Sequence, residues 1–301
     1  MSALPLSAAR DYAAPIGVIA GSGLYELFAP GTRSSDIATP YGPTSAPIAL
    51  GEIGGRDVAF LTRHGAGHSV PPHRINYRAN IWALRSLGVK ALLTFSAVGG
   101  LRARCAPGQF VLSDQIIDRT HGRPDTFFDG EVLAMTGVQH LAAAQPFCPR
   151  LRGFAAEALR GAGEDFHPTG TVVVIQGPRF STAAESRWFR SIGGDTVNMT
   201  QYPETMLAAE LGMGVVNLSF VTDSDAGVAE DSTDMGETVG ENSGADVVHH
   251  QLVLQRMAAA QPRIKAAIAA IVAGIAADYE PASGIDPDAL DAVFKQAVVS
   301  R

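Results

Sequence analysis

Six short segments carry side chains suited to chemistry, and most of them stand where an apolar run stops. Gly21-Ser22-Gly23 follows the β-branched stretch IGVIA. The backbone N–H groups of such a turn, with the Ser22 hydroxyl, can cradle an anion. A dinucleotide fingerprint needs a third glycine three residues later, where Glu26 stands, and no Gly-Lys-Ser/Thr follows any glycine. Arg63-His64 adds a guanidinium that can grip two oxyanion oxygens at once, beside a second polar group. Ser96-Ala97 precedes Val98-Gly99-Gly100, small residues that let a ligand come close to the backbone. Phe180, in the turn Gly177-Pro178-Arg179-Phe180-Ser181, can stack on a planar ligand or pack into the core. Asn198-Met199-Thr200 and Thr222-Asp223-Ser224-Asp225 complete the set. Paired carboxylates either bind a metal or act as an acid on a substrate base. A metal would call for further His or carboxylate ligands at matched spacing, and none is evident. Each segment alone also has a plain reading as a tight turn, a solvated strand end or a core contact.

The elements that must position these groups follow from pattern. Strands are predicted over 16–20, 58–61, 91–97 (stopped by Gly99-Gly100), 111–117, 171–175, 197–199 and 215–221. Helices are predicted over 76–87, 151–162, 183–191 and 203–211, then as two segments split by Pro262, and last over about 286–299. Alternating strands and helices make an α/β protein. Several of the six segments then lie at strand ends, where open α/β folds place their sites. No linker or internal repeat divides the chain, so one domain is expected over 16–301 after an N-terminal extension at 1–15. Within it, 226–246 reads as an acidic loop and 284–301 carries the C-terminal helix.

Composition bounds the class. The 301 residues are 46% hydrophobic and 18% charged, which excludes a disordered chain. Twenty-three Lys plus Arg against 30 Asp plus Glu give a net charge of −7. That disfavours a polyanion held on a broad basic face but leaves room for one small anion in a local pocket. Cys105 and Cys148 lack ligand spacing and read as reduced, mostly buried thiols. The N-terminus lacks a signal-peptide pattern, and the longest apolar run, 266–277, is shorter than the roughly 20 residues a membrane span needs. A cytoplasmic protein is expected.

Taken together, IGVIAGSGL, LTRHGAGHSVPPHRINYRANIWAL, SAVGGLR, PGQFVLSDQIIDRT, GPRFSTAAES, NMTQYPE and VTDSDAG resemble the trimeric purine nucleoside phosphorylase superfamily. The resemblance runs from about Ile16 to about Asp225 and weakens afterwards. It implies a central mixed, twisted sheet partly closed into a barrel and flanked by helices. It also implies phosphate held by Ser22, Arg63, His64, Ser96, Ala97 and Thr200, ribose against Met199, and the purine beside Phe180. Superfamily members that use 6-oxopurines place Asn on the last strand, and members that use 6-aminopurines place Asp. Asp223 is therefore the expected general acid at N7, with Asp225 reading the 6-amino group.

The implied reaction is phosphorolysis of S-methyl-5′-thioadenosine to adenine and 5-methylthioribose 1-phosphate. It needs no cofactor, and inorganic phosphate is a co-substrate. Alternatives are a phosphorylase of broader or 6-oxopurine specificity (inosine, guanosine, methylthioinosine), a hydrolase, and a non-catalytic nucleoside-binding protein. No nucleic-acid or membrane partner is implied. The resemblance also implies a homotrimer in which His140, in Gly137-Val138-Gln139-His140, reaches a neighbouring subunit's 5′ pocket. Gln201-Tyr202 departs from the commoner Thr-Val, either adding a polar contact beside the sugar or only altering subunit packing.

Overall fold

Ala91–Gly100 (ALLTFSAVGG) forms the longest strand but one, and the sheet branches from it. In the computed structural model, which describes residues 14–29, 31–227 and 250–296, the strands are β1 (Ile16–Ala20), β2 (Ser34–Ser35), β3 (Ile48–Ile53), β4 (Arg56–Thr62), β5 (Ala91–Gly100) and β6 (Phe110–Leu112). They continue as β7 (Gln115–Arg119), β8 (Phe166–His167), β9 (Thr171–Ile175), β10 (Thr196–Asn198) and β11 (Gly214–Ser224). The helices are α1 (Tyr77–Ser86), α2 (Gly130–Thr136), α3 (Pro149–Gly161), α4 (Ala183–Ser191), α5 (Gln201–Glu210), α6 (His250–Gly274) and α7 (Pro287–Phe294). The expected extension at 1–15 and acidic loop at 226–246 lie almost wholly outside the described residues, as do positions 297–301.

One edge of β5 pairs in parallel with β11 along its length, from Gly214↔Ala91 to Ser224↔Gly100. The other edge is shared. β1 pairs in parallel up to Ala20↔Phe95, and β10 pairs antiparallel at Gly99 and Gly100. Between them, Ser96–Val98 have no partner strand on that edge. β4 continues the sheet beyond β1, and the β3–β4 hairpin extends it. On the other branch β10 pairs β9, β9 pairs β7, and β6 pairs β11. β6 and β7 follow each other across Ser113-Asp114, so the pairings lead from β5 through β11 to β6 on one side and through β10 and β9 to β7 on the other.

Both faces of the sheet are covered, so its strands read as continuous apolar runs rather than alternating ones. Ile19, Leu61 and Leu92 join Trp82 and Leu84 of α1, Leu207 of α5 and Val293 of α7 in one core. Val18, Phe60 and Leu93 point the other way, into a core with Leu151 and Leu159 of α3 and Met257, Ile268 and Ile271 of α6. Local signals fix several helix starts. Asn76 accepts a hydrogen bond from the Ala79 N–H at α1, and a Thr182/Glu185 capping box opens α4.

Four sequence expectations need correction. β5 runs through Gly99-Gly100 instead of stopping there, because these positions are crowded rather than flexible. A Cβ at Gly100 would fall 2.1 Å from the Cys105 carbonyl oxygen. The strand expected over 111–117 breaks at Ser113-Asp114, where Asp114 exchanges hydrogen bonds with Gly170 (3.1 and 2.9 Å) and bends the chain towards β9. Pro262 does not split α6. Proline removes one internal hydrogen bond, but Val253 and Met257 before it and Ile264, Ile268 and Ile271 after it bury one continuous face. β10 ends at Asn198, which leaves Met199 on the connection to α5. Strands β2, β3 and β8 and helix α2 are additions that the periodicity did not single out.

Candidate active site

Strands β1, β4, β5 and β11 run parallel, so their carboxyl ends and the connections after them open on one side. There a cavity of ≈ 370 Å³ is lined by Ser22, Arg63, His64, Ser96, Ala97, Phe180, Met199, Thr200, Asp223 and Asp225. All ten intrachain residues expected from the sequence thus meet in one place. His140 does not line this cavity. It is exposed on the segment after α2, near exposed Met135 and Val138.

One end of the cavity gathers hydrogen-bonding side chains around the open edge of β5. The unpaired β5 edge at Ser96–Val98 opens between β1 and β10, and Arg63 fills its start by donating from Nη1 to the Phe95 carbonyl oxygen (3.0 Å). Arg63 is 1% exposed and donates from Nε and Nη2 to the two Glu204 carboxylate oxygens, each at 2.7 Å. This bidentate pair sets the plane of the guanidinium and cancels its charge in a place where an unpaired ion would be costly. Gly21 accommodates the group, since a Cβ there would lie 2.8 Å from Arg63 Nη1. His64 Nδ1 lies 2.9 Å from the Val70 carbonyl oxygen, which can only accept, so the proton is on Nδ1 and Nε2 is a bare acceptor. Burial, and then the adjacent Arg63 charge, lower the His64 pKa to about 3, so the ring is neutral. Thr200 stands at the N-cap of α5 without using its hydroxyl to cap.

The other end carries the carboxylates. A bulge between Val221 and Asp223 shifts the β11 register against Val98 and Gly99 and re-aims the strand end. Gly99 makes room, since a Cβ there would lie 2.9 Å from Asp225 Cβ and 3.2 Å from Asp223 Oδ1. Asp223 and Asp225 are each 3% exposed. Burial first, with a smaller push from Asp225 against the pull of the Thr222 hydroxyl, raises the Asp223 pKa to about 6. Burial likewise raises Asp225, which the Ser186 hydroxyl hydrogen-bonds. Thr222 Oγ1 lies 2.7 Å from Asp223 Oδ2 and 3.2 Å from the Val98 carbonyl oxygen. Asp223 Oδ1 is buried without a hydrogen-bond partner, leaving one oxygen for a ligand.

Two supporting residues were not singled out from the sequence. Glu204 sits inside the quoted NMTQYPE stretch, but nothing in its spacing ties it to Arg63, 141 positions away. Arg123, in a Gly/Pro turn, is 8% exposed and spends its guanidinium on the carbonyl oxygens of Met199 (3.0 Å), Tyr202 (2.6 Å) and Gln176 (2.8 Å). It thereby ties the Met199 connection to the loop that carries Phe180. Arg123→Lys keeps the charge and loses the fork. Turnover is expected to fall by about 10–100-fold through misplacement of Met199 and Phe180, and steady-state rates with a circular-dichroism check on folding would test this. Sequence reading also missed His250 and Val253 of α6, which complete the cavity wall with His68. The His68 ring stacks on His64 at 4.2 Å and lies 5.5 Å from His250. Among the described residues, no group of three or more His, Cys, Asp or Glu side chains is placed to hold a metal ion, and no helix is long and apolar enough to cross a membrane.

Comparison with known proteins agrees with this geometry. Residues 15–273 match the model of the phosphorylase superfamily. The chain is 52% identical over 213 residues to an S-methyl-5′-thioadenosine phosphorylase from Mycolicibacterium smegmatis, covering 71% of this chain and 78% of that one. It is 44% identical over 279 residues to a purine nucleoside phosphorylase from Streptomyces coelicolor, covering 92% of each. Among solved structures it is similar to methylthioadenosine phosphorylase from Schistosoma mansoni in complex with adenine. That match has a TM-score of 0.79 and 32% identity, over 93% of this chain and 96% of the other.

Proposed function

The chain belongs to the phosphorylase superfamily, and from that membership we propose that it cleaves S-methyl-5′-thioadenosine with phosphate, giving adenine and 5-methylthioribose 1-phosphate. The observation that carries this reading is the cavity's two ends: a notch of donors around Ser22, Arg63 and Ser96, and a buried Asp223/Asp225 pair facing it. Phosphate in the notch attacks the anomeric carbon as the bond to purine N9 breaks. The bond's electron pair leaves on the base, and Asp223 delivers a proton to N7 so that a neutral purine departs. Bond breaking runs ahead of attack, and phosphate stabilises the positive charge building on the sugar. With His64 Nε2 able only to accept, a P–O–H of hydrogen phosphate donates to it, which turns the ionised oxygens towards Arg63, Ser96 and the sugar. The Asp225 carboxylate accepts from the 6-amino group. No cofactor enters this scheme.

A broader reading at the 5′ position is favoured by one observation. The remaining wall is part apolar, with Val253, and part polar, with the imidazoles of His68 and His250. An apolar wall alone would reject a 5′-hydroxyl weakly, whereas an imidazole can bond it. We therefore expect adenosine and methylthioadenosine to turn over within about tenfold of each other, and inosine to lag by roughly 100-fold or more for want of a 6-amino donor. A panel of these nucleosides with and without phosphate tests both steps. Turnover of inosine equal to that of methylthioadenosine overturns the base assignment, and undiminished cleavage without phosphate makes the protein a hydrolase. Exposed Leu133, Met135 and Val138 beside His140 support a homotrimer in which this segment lies against a neighbour. Sedimentation would read that directly.

A further inference from the structure

Gln201, which departs from the superfamily's commoner threonine, is buried and faces neither solvent nor the cavity. Its Nε2 donates to Asn217 Oδ1 (3.0 Å) and Ser219 Oγ (3.2 Å). Ser219 Oγ (2.7 Å) and Ser113 Oγ (3.2 Å) also donate to Asn217 Oδ1. Three donors on that oxygen fix which way the Asn217 amide faces. Its Nδ2 then faces three acceptors, Thr94 Oγ1 (2.9 Å), the Thr94 carbonyl oxygen (3.2 Å) and Ser96 Oγ (3.3 Å), and shares its two protons among them. Asn217, Ser219, Thr94 and Ser113 are 0% exposed. One branch of this network runs from Gln201 through Asn217 to Ser96, which lines the cavity.

We infer that Asn217, held by Gln201, is a positioning residue that orients the Ser96 hydroxyl towards phosphate. This rests on the phosphate site proposed above. Because Ser96 Oγ accepts from Asn217, its own proton is free to donate into the notch that Ser96 lines. Without that donor the hydroxyl can turn to a backbone acceptor instead. Aligned hydrogen bonds also polarise one another, so a hydroxyl at the end of the chain is a better donor than an isolated one. Gln201 has the reach this role needs, its Nε2 spanning from α5 to Asn217 in β11.

The test uses the full chain with Ser96→Ala, Asn217→Ala and the double variant, assayed over a range of phosphate and of nucleoside, with melting temperatures alongside. Ser96→Ala is expected to raise KM for phosphate about tenfold or more, and Asn217→Ala about fivefold, with KM for the nucleoside nearly unchanged. If Asn217 acts through Ser96, the double variant is no worse than Ser96→Ala alone. Effects that multiply, or a folded Asn217→Ala with unchanged KM for phosphate, overturn the inference. An unchanged KM in Ser96→Ala instead overturns the phosphate site itself. If Asn217→Ala does not fold, Gln201→Met decides. It removes one donor to Asn217 and also the buried, unpartnered Gln201 Oε1. Melting should then hold or rise while KM for phosphate rises about two- to threefold. A purely structural role leaves that KM unchanged.

Discussion

Asp223→Asn is expected to lower kcat/KM for methylthioadenosine by about 10²–10⁴-fold, the range that a positioned general acid supplies. The asparagine amide can still donate a hydrogen bond to N7, so nucleoside binding should largely survive, but it has no proton to give to a departing base. Substrate preference should also shift, because inosine loses less than methylthioadenosine when the carboxylate goes. The pH dependence gives an independent reading. With a pKa of about 6, the acid form of Asp223 is progressively lost above that pH. Wild-type kcat/KM should therefore fall by about tenfold per pH unit on the alkaline side. Ionisation of phosphate itself acts on both proteins, so the limb that belongs to Asp223 is the one missing from Asp223→Asn.

Stability should move in the opposite sense, which separates a catalytic loss from a folding loss. The folded-state pKa of Asp223 is raised above its ordinary value of 3.8. Between those two values the native state holds more protons than the unfolded one. Stability contributed by this group is therefore lost as pH rises from about 4 to about 6 and is absent at neutral pH. Replacing it with a neutral isostere leaves the melting temperature at pH 7.5 unchanged or higher. A variant that is inactive and also melts early would point to collapse of the bulged end of β11 rather than loss of an acid.

The legible part of the molecule is the part that local physics writes into short segments. IGVIA, ALLTFSA and TVVVI announce buried strands through their short apolar runs, β-branched in the first and third, and the glycines and hydroxyls after them mark the strand mouths. That was enough to foresee the α/β fold and, with the resemblance, ten cavity residues. What stayed hidden is long-range. Glu204 beneath Arg63, Asn217 beneath Ser96, and Arg123 between two connections are each set by pairings more than 40 positions apart, and no periodicity encodes them. Pro262 misled for a related reason, since the cost of one lost hydrogen bond is local while the apolar face that outweighs it is collected over the whole helix. Gly99-Gly100 misled by looking like a stop. The missing side chains there admit Asp225 on one side and the Cys105 carbonyl on the other.

Arg63→Met is expected to destabilise the protein by about 3–5 kcal/mol and to abolish phosphate-dependent turnover. The two effects have separate causes. Glu204 is 1% exposed and spends both oxygens on the guanidinium, so removing Arg63 strands a buried carboxylate, and that accounts for the stability. The lost turnover comes from the notch, where Arg63 carries N–H donors beside Gly21 and Phe95. The double variant Arg63→Met/Glu204→Met distinguishes them, because replacing both ions with apolar side chains of similar length removes the stranded charge along with its partner. Urea unfolding of the double variant should return to within about 1 kcal/mol of wild type, with strong coupling between the two changes. Its turnover should stay at the level of Arg63→Met at every phosphate concentration. Recovery of both properties together would make the ion pair a structural brace and leave the anion to Ser22, Ser96 and Thr200 alone. Recovery of stability without turnover instead assigns the guanidinium to phosphate, with Glu204 holding it in place before phosphate arrives.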